Sequence, residues 1–535
     1  MTRILISDEL SPEAKGILER VPGAQVDLRP GLKAEELREI ISGYDALAIR
    51  SATKVTAEVL AAAPRLRVIG RAGTGVDNID LAAATRRGVV VMNAPGGNSV
   101  SVAEHTVALL LSLARSIADA SQSTRAGKWE KKKYSAGREL YGKTLGVVGT
   151  GNIGQLVVLR ARAFGMKIIA YDPFLSADAA AKLGVELVEL PEIFRRSDAI
   201  TLHVPLTEQT RNMVSAATLA QMKPGALLVN CARGGLVDER AVADALRSKH
   251  LGGAALDVFE IEPPAADHPL FSCENFIATP HLGGSTEDAQ QNVAVIVCEA
   301  MVEYLTTGTI RNAVNVPSVS GEVLERLGPF LRLAEKLGAF AAQFALQGEC
   351  AAAPEEIEIS YAGEVAQHPS APLTAAVLKG VLRTFLAETV NEVSAPALAR
   401  ERGLSVKEVK TSETPDFASL LTLRLRCGKM FTTEVAGTIV GKREPRLVRV
   451  DGLDIEAVPE GFMVVIHNND APGVIGNVGQ TLGEAKVNIA QFALARDRAR
   501  GEALALVNID SPASAEVLDR LRKLPNIRRV HQVAL

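Results

Sequence analysis

The stretch Thr144–Gly154, TLGVVGTGNIG, decides the fold of the central part of this 535-residue chain. The apolar run Leu145–Val148 leads into three glycines spaced as G-x-G-x-x-G, and an amphipathic helical pattern follows. In such a strand-turn-helix unit, Gly149 permits the tight turn, Gly151 lets a diphosphate approach the backbone, and Gly154 lets helix and strand pack closely. The sequence therefore predicts that a dinucleotide binds with its diphosphate on the helix N-terminus.

An acidic residue closes the next predicted strand. The segment Lys167–Asp172 reads KIIAYD, and Asp172 lies eighteen residues beyond Gly154. A carboxylate here can accept hydrogen bonds from both hydroxyls of an adenosine ribose, and it would repel a 2′-phosphate. The cofactor is therefore predicted to be NAD rather than NADP. A structural glycine turn beside a surface carboxylate is the alternative interpretation.

Two long helical patterns, Val100–Ala114 and Glu287–Thr306, flank a segment in which short apolar runs alternate with helices. That rhythm predicts an α/β fold with a doubly wound parallel sheet. Asn98 or Ser99 can cap the first long helix. We expect this helix to cross between domains and to form much of a two-fold interface, so the chain is predicted to be a homo-oligomer, either a dimer or a tetramer.

Composition and charge exclude several classes of protein. The chain has 59 basic and 62 acidic residues, a formal net charge of -3, so no overall field favours nucleic acid or an anionic membrane. No stretch approaches the ~20 apolar residues of a membrane span, and the N-terminus MTRILISDEL lacks an apolar signal core. The five cysteines are scattered and never form C-x-x-C, which predicts reduced thiols, no metal site and a cytoplasmic protein.

Three polar motifs follow predicted strands beyond the glycine turn. They are Asn230-Cys-Ala-Arg233-Gly-Gly, Asp257-Val-Phe-Glu-Ile-Glu262-Pro and Thr279-Pro-His281-Leu-Gly-Gly. Ligands of open α/β sheets bind outside the carboxyl ends of the strands. The three motifs are therefore expected to meet at one crevice.

Arg233, Glu262 and His281 are the groups that hydride transfer to or from a 2-hydroxy acid requires. His281 titrates in the range needed to remove the hydroxyl proton as hydride leaves carbon. Glu262 can hold the imidazole in one tautomer, and the donors of Arg233 can bind the substrate carboxylate. Each residue alone could serve packing or a loop, but together they predict a catalytic site. Three other histidines lack comparable neighbours in the sequence and are interpreted as structural: His105, His203 and His250.

The glycine turn, Asp172 and the three catalytic candidates together resemble the D-isomer-specific 2-hydroxyacid dehydrogenase family, over roughly residues 1–315. Four further motifs are similar to its phosphoglycerate dehydrogenases: Arg50-Ser-Ala-Thr-Lys-Val-Thr, Gly70-Arg-Ala-Gly-Thr-Gly-Val-Asp-Asn, Gly96-Gly-Asn-Ser and Gly127-Lys-Trp-Glu-Lys-Lys-Lys. The later segments resemble the intervening and ACT domains of the long bacterial form. The resemblance thus covers nearly the whole chain.

The resemblance and the residue patterns together imply four domains. Beyond residue 317 the pattern turns to α+β, with helices expected at Gly321–Phe344 and Ala371–Asn391 and strands at Ile357–Tyr361, Leu420–Arg426 and Thr432–Val440. The final segment reads strand, helix, strand, strand, helix, strand, the order of a ferredoxin-like domain. The predicted division is a discontinuous α/β substrate domain (1–98 and 285–315), an inserted Rossmann-type NAD domain (99–284), an intervening α+β domain (316–455) and a ferredoxin-like ACT domain (456–535).

The resemblance also implies ligand contacts on both sides of the crevice. The implied cofactor set comprises Thr74, Gly149, Gly151, Asn152, Ile153, Gly154, Asp172, Val204, Cys231, Ala232, Arg233, Asp257, His281, Leu282, Gly283 and Gly284. The implied substrate set comprises Arg50, Ser51, Gly73, Asn98, Arg233 and His281. Asn152 departs from the family pattern, because some relatives carry a larger basic residue in the glycine loop.

The implied activity is NAD-dependent oxidation of 3-phospho-D-glycerate to 3-phosphohydroxypyruvate, the first step of L-serine biosynthesis. Arg50, beside Ser51, is a candidate to bind the substrate phosphate. The run Lys131–Lys133 is a second candidate and could reach a neighbouring subunit's active site. A solvated basic loop is the alternative interpretation of these lysines. A dehydrogenase of lactate, glyoxylate or 2-hydroxyglutarate is the second hypothesis, although it leaves the C-terminal domains unexplained. A non-catalytic NAD-sensing scaffold is the third.

The ACT-like segment contains a candidate effector site. The motif His467-Asn-Asn-Asp-Ala-Pro-Gly473 and the later Lys486-Val-Asn488 resemble the effector motif of ACT domains. Asp470 can accept hydrogen bonds from an ammonium group, while Asn468 and Asn488 can bind a carboxylate or hydroxyl. These groups make L-serine the candidate effector. A capped turn is the alternative interpretation.

Overall fold

Four separate sheets organise the chain. The structure is a computed structural model and describes residues 1–316, 321–346, 354–386, 390–414, 416–427, 430–441, 443–497, 499 and 501–535. The named strands of each sheet come from one continuous stretch of the sequence.

The first sheet has five parallel strands in the order β2-β1-β3-β4-β5. Its strands are β1 (Arg3–Ile6), β2 (Gln25–Leu28), β3 (Ala46–Ile49), β4 (Val68–Arg71) and β5 (Val90–Met92). Its connecting helices are α1 (Glu13–Leu18), α2 (Ala34–Ile40), α3 (Ala57–Ala61) and α4 (Leu81–Arg86). Every residue of β3 is buried, as expected for a parallel sheet that is covered on both faces.

The second sheet has seven parallel strands in the order β12-β11-β10-β9-β6-β7-β8. Its strands are β6 (Thr144–Val148), β7 (Lys167–Tyr171), β8 (Glu186–Leu187), β9 (Ala199–Leu202), β10 (Ala226–Asn230), β11 (Leu251–Leu256) and β12 (Phe276–Ala278). The helices of this region are α5 (Ser99–Arg115), α6 (Ile117–Arg125), α7 (Asn152–Ala163), α8 (Ala177–Leu183), α9 (Leu190–Arg196), α10 (Ala216–Leu219), α11 (Glu239–Arg247) and α12 (Glu287–Thr307). The predicted doubly wound parallel sheet is confirmed. Its strand order reverses between β6 and β9, so a ligand crevice is expected there.

Helix α12 returns the chain from the second sheet to the first. Its residues Val297 and Met301 are buried in the same core as strands β1 and β4. After α12, the Val314 amide donates to the Val91 carbonyl at 2.9 Å, which adds a backbone bond beside β5. The first sheet is therefore completed by residues from two distant parts of the chain, while the domain boundaries themselves stay a prediction.

The third sheet is mixed and has six strands, in the order β14-β13-β15-β16-β17-β18. Its strands are β13 (Glu356–Gly363), β14 (Ser405–Thr411), β15 (Ser419–Cys427), β16 (Met430–Val440), β17 (Glu444–Val450) and β18 (Leu453–Ala457), and its helices are α13 (Gly321–Leu346), α14 (Ala371–Phe385) and α15 (Ala395–Glu401). The predicted helix Ala371–Asn391 is too long, because Leu386 is already extended. Strand β18 ends at Ala457, which pairs with Leu447.

The fourth sheet is antiparallel, in the order β20-β21-β19-β22, and its predicted element order is confirmed. Its elements are β19 (Phe462–Asn469), α16 (Val474–Glu484), β20 (Ile489–Asp497), β21 (Glu502–Ile509), α17 (Ala515–Arg522) and β22 (Ile527–Ala534). The two helices cover one face of this sheet, and α13 covers the other. Phe344 of α13 stacks on His467 with a ring separation of 5.7 Å and meets His531 edge-on at 5.6 Å.

Two expectations about the whole chain have different outcomes. Cys427 is disulfide-bonded, so the expectation of reduced thiols is wrong at this position. Cys231, Cys273 and Cys298 are free, and Cys350 lies outside the described residues. Spacing along the chain did not reveal the disulfide, because its formation depends on how distant segments meet. The cytoplasmic location stays a prediction.

The length and hydropathy of the helices bear on whether one of them could cross a membrane. Within the described part of the chain no single helix is long and apolar enough to cross a membrane, and only α5 and α6 together, bent by 66°, reach that length.

A short segment, residues 390–395, docks the third domain on the first. Asn391 donates from Nδ2 to the Gly88 carbonyl at 2.8 Å and accepts the Val393 and Ser394 amides, each at 3.0 Å. Val393 is buried in the core of the first sheet. Gly88 has φ +71°, and a Cβ at this position would lie 2.2 Å from the Asn391 side chain. The contact therefore requires glycine for both conformation and space.

Replacing Gly88 with alanine is expected to loosen this docking. Gly23 is the matched control, because it has φ +67° in the same domain and a Cβ there would meet no atom within 4 Å. Both alanines carry left-handed strain of about 1–3 kcal/mol, but only Gly88→Ala displaces Asn391. We expect hydrogen exchange of the Val393 and Ser394 amides to be at least about tenfold faster in Gly88→Ala than in Gly23→Ala. Equal exchange in the two variants would show that the contact does not hold the domains together.

Candidate active site

The glycine turn between β6 and α7 forms an open cradle. Gly149 has φ +90°, and a Cβ there would lie 2.5 Å from the His203 carbonyl oxygen. A Cβ on Gly154 would lie 2.1 Å from the carbonyl oxygen of Gly149, so strand and helix meet without room for a side chain. Gly151 is the N-cap of α7, and a Cβ on it would meet no atom within 4 Å. Its open side is where a diphosphate fits against the helix N-terminus.

Asp172 lies just beyond the end of β7, beside the glycine turn. Its Oδ2 accepts the Thr150 amide and hydroxyl, both at 2.8 Å, and its Oδ1 accepts the Phe174 amide at 2.9 Å. Burial raises the pKa of Asp172, but these hydrogen bonds outweigh burial and hold the pKa below its ordinary value. The group is therefore a carboxylate at neutral pH. It can accept hydrogen bonds from ribose hydroxyls and repel a phosphate.

His281 and Glu262 form a hydrogen-bonded pair. The distance from His281 Nδ1 to Glu262 Oε2 is 2.8 Å, and Glu262 Oε1 accepts the Phe259 amide at 3.0 Å. Burial raises the pKa of Glu262, but the bonds from His281 and Phe259 bring it below its ordinary value. Because a carboxylate only accepts, Nδ1 of His281 carries the hydrogen. In the neutral imidazole, Nε2 is therefore the nitrogen that can take a proton.

A buried carboxylate holds the loop that carries His281. Asp257 is 1% exposed and accepts the amides of Leu282 and Gly283, each at 2.8 Å, together with the Thr279 hydroxyl. The Asp257 carbonyl also accepts the His281 amide at 2.9 Å. His281 itself adopts φ +55°, which an L-residue adopts only when its surroundings impose it. Asp257 thus sets the position of the imidazole.

Arg233 connects the two walls of the crevice. Its Nε donates to Asp77 Oδ2 at 3.1 Å, and Asp77 belongs to the first domain. Asn230 shapes the turn by accepting the Ala232 amide at 3.0 Å and donating to the Arg233 carbonyl at 2.9 Å. The Nη2 group lies so close to Gly75 that a Cβ there would be 2.0 Å away. The guanidinium therefore lies between the domains, where it can bind a carboxylate.

Comparison with known proteins agrees with this geometry. Family models match the NAD binding domain of D-isomer specific 2-hydroxyacid dehydrogenases (107–283), the D-3-phosphoglycerate dehydrogenase intervening domain (326–451) and the ACT domain (462–526). D-3-phosphoglycerate dehydrogenase from Methanocaldococcus jannaschii is 43% identical over 100% of both chains, and that from Synechocystis sp. is 42% identical over 100% of this chain and 95% of its own. The chain belongs to the D-3-phosphoglycerate dehydrogenase family.

Solved structures match the catalytic part. An NAD-dependent formate dehydrogenase from Staphylococcus aureus, in complex with NAD, is 31% identical with a TM-score of 0.53 and covers 60% of this chain and 100% of its own. NAD is also the cofactor of the present 535-residue chain. The open glycine turn and the charged Asp172 side chain fit NAD.

Sequence reasoning missed one cation of this phosphoglycerate dehydrogenase, Arg71 at the end of β4. Its Nε is buried without a hydrogen-bond partner among the described residues, and its guanidinium lies against Gly73, where a Cβ would be 1.6 Å from Nη1. Burial lowers the pKa of Arg71 to about 10, with further lowering by Arg233 and Arg50. An Nε atom that is buried without a hydrogen-bond partner in the described part of the chain, on a guanidinium with two other arginines nearby, marks a candidate anion site. A basic residue at the end of a buried strand is the signal that could have found it.

The Asn98 side chain links the two walls. Asn98 occupies the N-cap position of α5, as predicted, but its side chain makes no cap hydrogen bond. Instead, its Oδ1 accepts the Thr74 hydroxyl at 2.8 Å. A Cβ on Gly284 would lie 2.7 Å from Asn98 Nδ2, so this side chain also abuts the catalytic loop.

The other predicted ligand residues lie at or just beyond the carboxyl ends of the parallel strands or in the first turn of α7. These are Arg50 and Ser51 after β3, Thr74 after β4, Val204 after β9, Cys231 and Ala232 after β10, Leu282 and Gly283 after β12, and Asn152 and Ile153 in α7. Burial raises the pKa of the Cys231 thiol to about 12, so this group is not a nucleophile at neutral pH. Their ligand contacts stay predictions.

Three histidines were interpreted as structural, and in the structure each has different hydrogen-bond partners. His203 bonds Thr201 at 3.0 Å, and desolvation lowers its pKa to about 4. His250 bonds the Leu219 carbonyl at 2.8 Å. His105 differs, because its Nε2 lies 3.2 Å from Asp257 of the catalytic loop support. The interpretation that His105 lacks relevant neighbours is therefore wrong.

The ACT domain brings two of the three effector candidates together. Asn468 and Asp470 line a cavity of about 340 Å³, and Asn468 Oδ1 is buried there without a hydrogen-bond partner among the residues that the structure describes. Asp470 pairs with Arg496 at 2.7 Å. Asn488 does not line this cavity and donates to Asp510 at 2.7 Å.

Replacing Asp172 with asparagine tests its part in cofactor choice. The substitution keeps an oxygen acceptor but removes the charge that repels a 2′-phosphate. We expect the preference for NAD over NADP, measured as the ratio of kcat/KM values, to fall at least about tenfold, which corresponds to ~1.4 kcal/mol. Asp178→Asn on α8 is the control, because it removes a carboxylate of the same region. A preference that Asp172→Asn leaves unchanged would reject this role.

Proposed function

We propose that this chain oxidises 3-phospho-D-glycerate to 3-phosphohydroxypyruvate with NAD, the first step of L-serine biosynthesis. The observation that carries the proposal is the hydrogen-bonded acid–base pair of His281 and Glu262, which follow strands β12 and β11. The carboxyl ends of β10 and β4 supply two cations, Arg233 and Arg71, whose charges interact. The substrate has two anionic groups flanking a hydroxyl, which match two cations beside one proton acceptor. The relatives that match over their whole length carry the same activity in their names.

The side chains of the site divide the chemistry among them. NAD, when bound, supplies the acceptor for the hydride. His281 takes the hydroxyl proton on Nε2, and Glu262 stabilises the imidazolium that forms. Arg233 binds the substrate carboxylate and stabilises charge on the oxygen that becomes a carbonyl. Asp172 holds the adenosine ribose.

We assign the substrate phosphate to Arg71 together with Arg50. Their mutual repulsion, and that with Arg233, is relieved when an anion binds among them. Lactate and glyoxylate lack a second anion and would leave this repulsion in place. 2-Hydroxyglutarate carries a second carboxylate, so the same arginines make it the second candidate substrate.

A substrate panel tests this proposal. We expect NADH formation to be fastest with 3-phospho-D-glycerate, slower with D-2-hydroxyglutarate and slowest with D-lactate. Arg71→Met is expected to lower kcat/KM for the phosphorylated substrate about a hundredfold, because it removes a charge-assisted contact worth ~2–3 kcal/mol, and to leave D-lactate turnover nearly unchanged. His281→Ala is expected to lower kcat for every substrate by about 2 to 4 orders of magnitude with NADH binding retained. Equal loss for all substrates in Arg71→Met would reject the phosphate assignment.

We further propose that the chain forms a homodimer or a tetramer. Helix α6 buries none of its residues, and three large apolar side chains of this region are exposed: Ile117, Trp129 and Leu159. Exposed large apolar side chains that come together at a surface are typical of a protein interface, and we propose that these three do so here. Lys131–Lys133 lies two residues beyond Trp129, so these lysines would lie near the partner subunit, where they can contribute to its active site.

We propose that the ACT domain binds a small amino acid, L-serine. Its cavity of about 340 Å³ presents the orphan Asn468 oxygen and the Asp470 carboxylate, which suit an ammonium group. Asn488 lies outside this cavity and would contribute where two such domains pair.

The substitution Asn468→Ala tests the effector site. We expect L-serine to bind at least about tenfold more weakly to this variant, with basal turnover preserved, because a buried hydrogen-bond partner is lost far from the catalytic residues. Asn477→Ala, an exposed amide on α16, is the control. Calorimetry with L-serine measures the change, and a wild-type protein that binds no L-serine would refute the proposal.

A further inference from the structure

Helix α5 holds the catalytic loop at two points, one helical turn apart. Ser101 Oγ donates to the Gly283 carbonyl at 2.6 Å. His105 Nε2 lies 3.1 Å from Thr279 Oγ1 and 3.2 Å from Asp257 Oδ1. Residues four apart on a helix share one face, so one face of α5 carries both contacts.

The hydrogen-bond pattern determines which partner donates at His105. The hydroxyl proton of Thr279 is engaged by Asp257 Oδ1. The carboxylate of Asp257 can only accept, so the hydrogen between His105 and these two oxygens belongs to His105 Nε2. His105 is therefore a donor to the Asp257 cluster, and it is the donor that comes from α5.

The cluster determines where the catalytic imidazole lies. Burial raises the pKa of Asp257, but donation by His105, Thr279 and the amides of Leu282 and Gly283 outweighs burial and lowers it. The two amides belong to the residues that follow His281. The charge on Asp257 therefore stabilises the left-handed turn at His281. A missing donor would leave this buried charge less well satisfied and would release the turn.

Helix α5 also contacts the opposite wall. It begins at Ser99, directly after Asn98, whose side chain accepts the Thr74 hydroxyl of the first domain. One rigid element therefore contacts the first domain at its N-terminus and the catalytic loop along its first two turns.

We propose that His105, together with Ser101, is a positioning residue for the reaction: it satisfies Asp257 and thereby holds His281 at a set distance from the substrate. The proposal rests on the proposed function for the identity of the reaction, but not for the geometry of the loop.

Three variants test the proposal. His105→Leu removes the donor at similar volume, His105→Gln keeps an N–H at the end of the side chain, and Glu104→Ala is the control because Glu104 pairs with Arg160 on α7 at 2.8 Å. We expect kcat to fall about tenfold to a hundredfold in His105→Leu, since small displacements of an acid–base group have effects of this size. His105→Gln is expected to recover most of the loss, and Glu104→Ala to match the wild type.

A second readout does not depend on turnover. Hydrogen exchange of the Leu282 and Gly283 amides is expected to be at least about tenfold faster in His105→Leu than in the wild type and in Glu104→Ala. Ser101→Ala is expected to produce a smaller change in the same direction. These measurements remain decisive if His105→Leu folds poorly, because Ser101→Ala and His105→Gln keep the size of the helix face.

The outcomes separate the two proposals. Unchanged kcat and unchanged exchange in His105→Leu would overturn the positioning role, as would an equal loss in His105→Leu and His105→Gln. A lower melting temperature with normal kcat would also overturn it, because the residue would then be structural only. A wild-type enzyme that does not oxidise 3-phospho-D-glycerate would overturn the proposed function while leaving the exchange result to decide the role of His105.

Discussion

The catalytic side of the crevice depends on the burial of one carboxylate, Asp257. A buried charge is stable only when hydrogen-bond donors surround it, and here the donors come from Thr279, two loop amides and His105. The loop can supply those amides only by folding back through a left-handed turn at His281. That turn brings the imidazole to Glu262, so satisfying the buried charge and assembling the acid–base pair are one structural event.

The opposite wall depends on cations that repel one another. Burial lowers the pKa of Arg71, Arg233 and Arg50 lower it further, and Asp77 offsets part of that effect. An anionic ligand bound beside these arginines would offset their mutual repulsion. The binding free energy gained in this way would act at the point where the substrate must be oriented. The site therefore combines a buried carboxylate whose hydrogen bonds are satisfied with a group of arginines that repel one another.

The added domains join the catalytic part through specific contacts. Phe344 packs on His467 of the ACT domain, and Asn391 fits against Gly88 of the first domain. The intervening domain thus contacts both neighbours by side chains that tolerate little displacement. A ligand of the ACT domain changes turnover only if it binds one arrangement of these domains more tightly than another.

The sequence by itself determined the features that arise within a few residues: the glycine turn, the acidic end of β7, the order of the ferredoxin-like elements and the chemistry of the Arg233, Glu262 and His281 motifs. Only the tertiary structure decided which side chains become partners. The sequence could not show that Arg71 has a buried Nε without a hydrogen-bond partner among the described residues, or that His105 donates to residues more than 150 positions away. Burial and pairing depend on which strand ends share a crevice. The end of α14 and the disulfide at Cys427 were missed for the same reason. Periodicity and turn chemistry act locally, whereas these features are set by contacts between segments far apart in the chain.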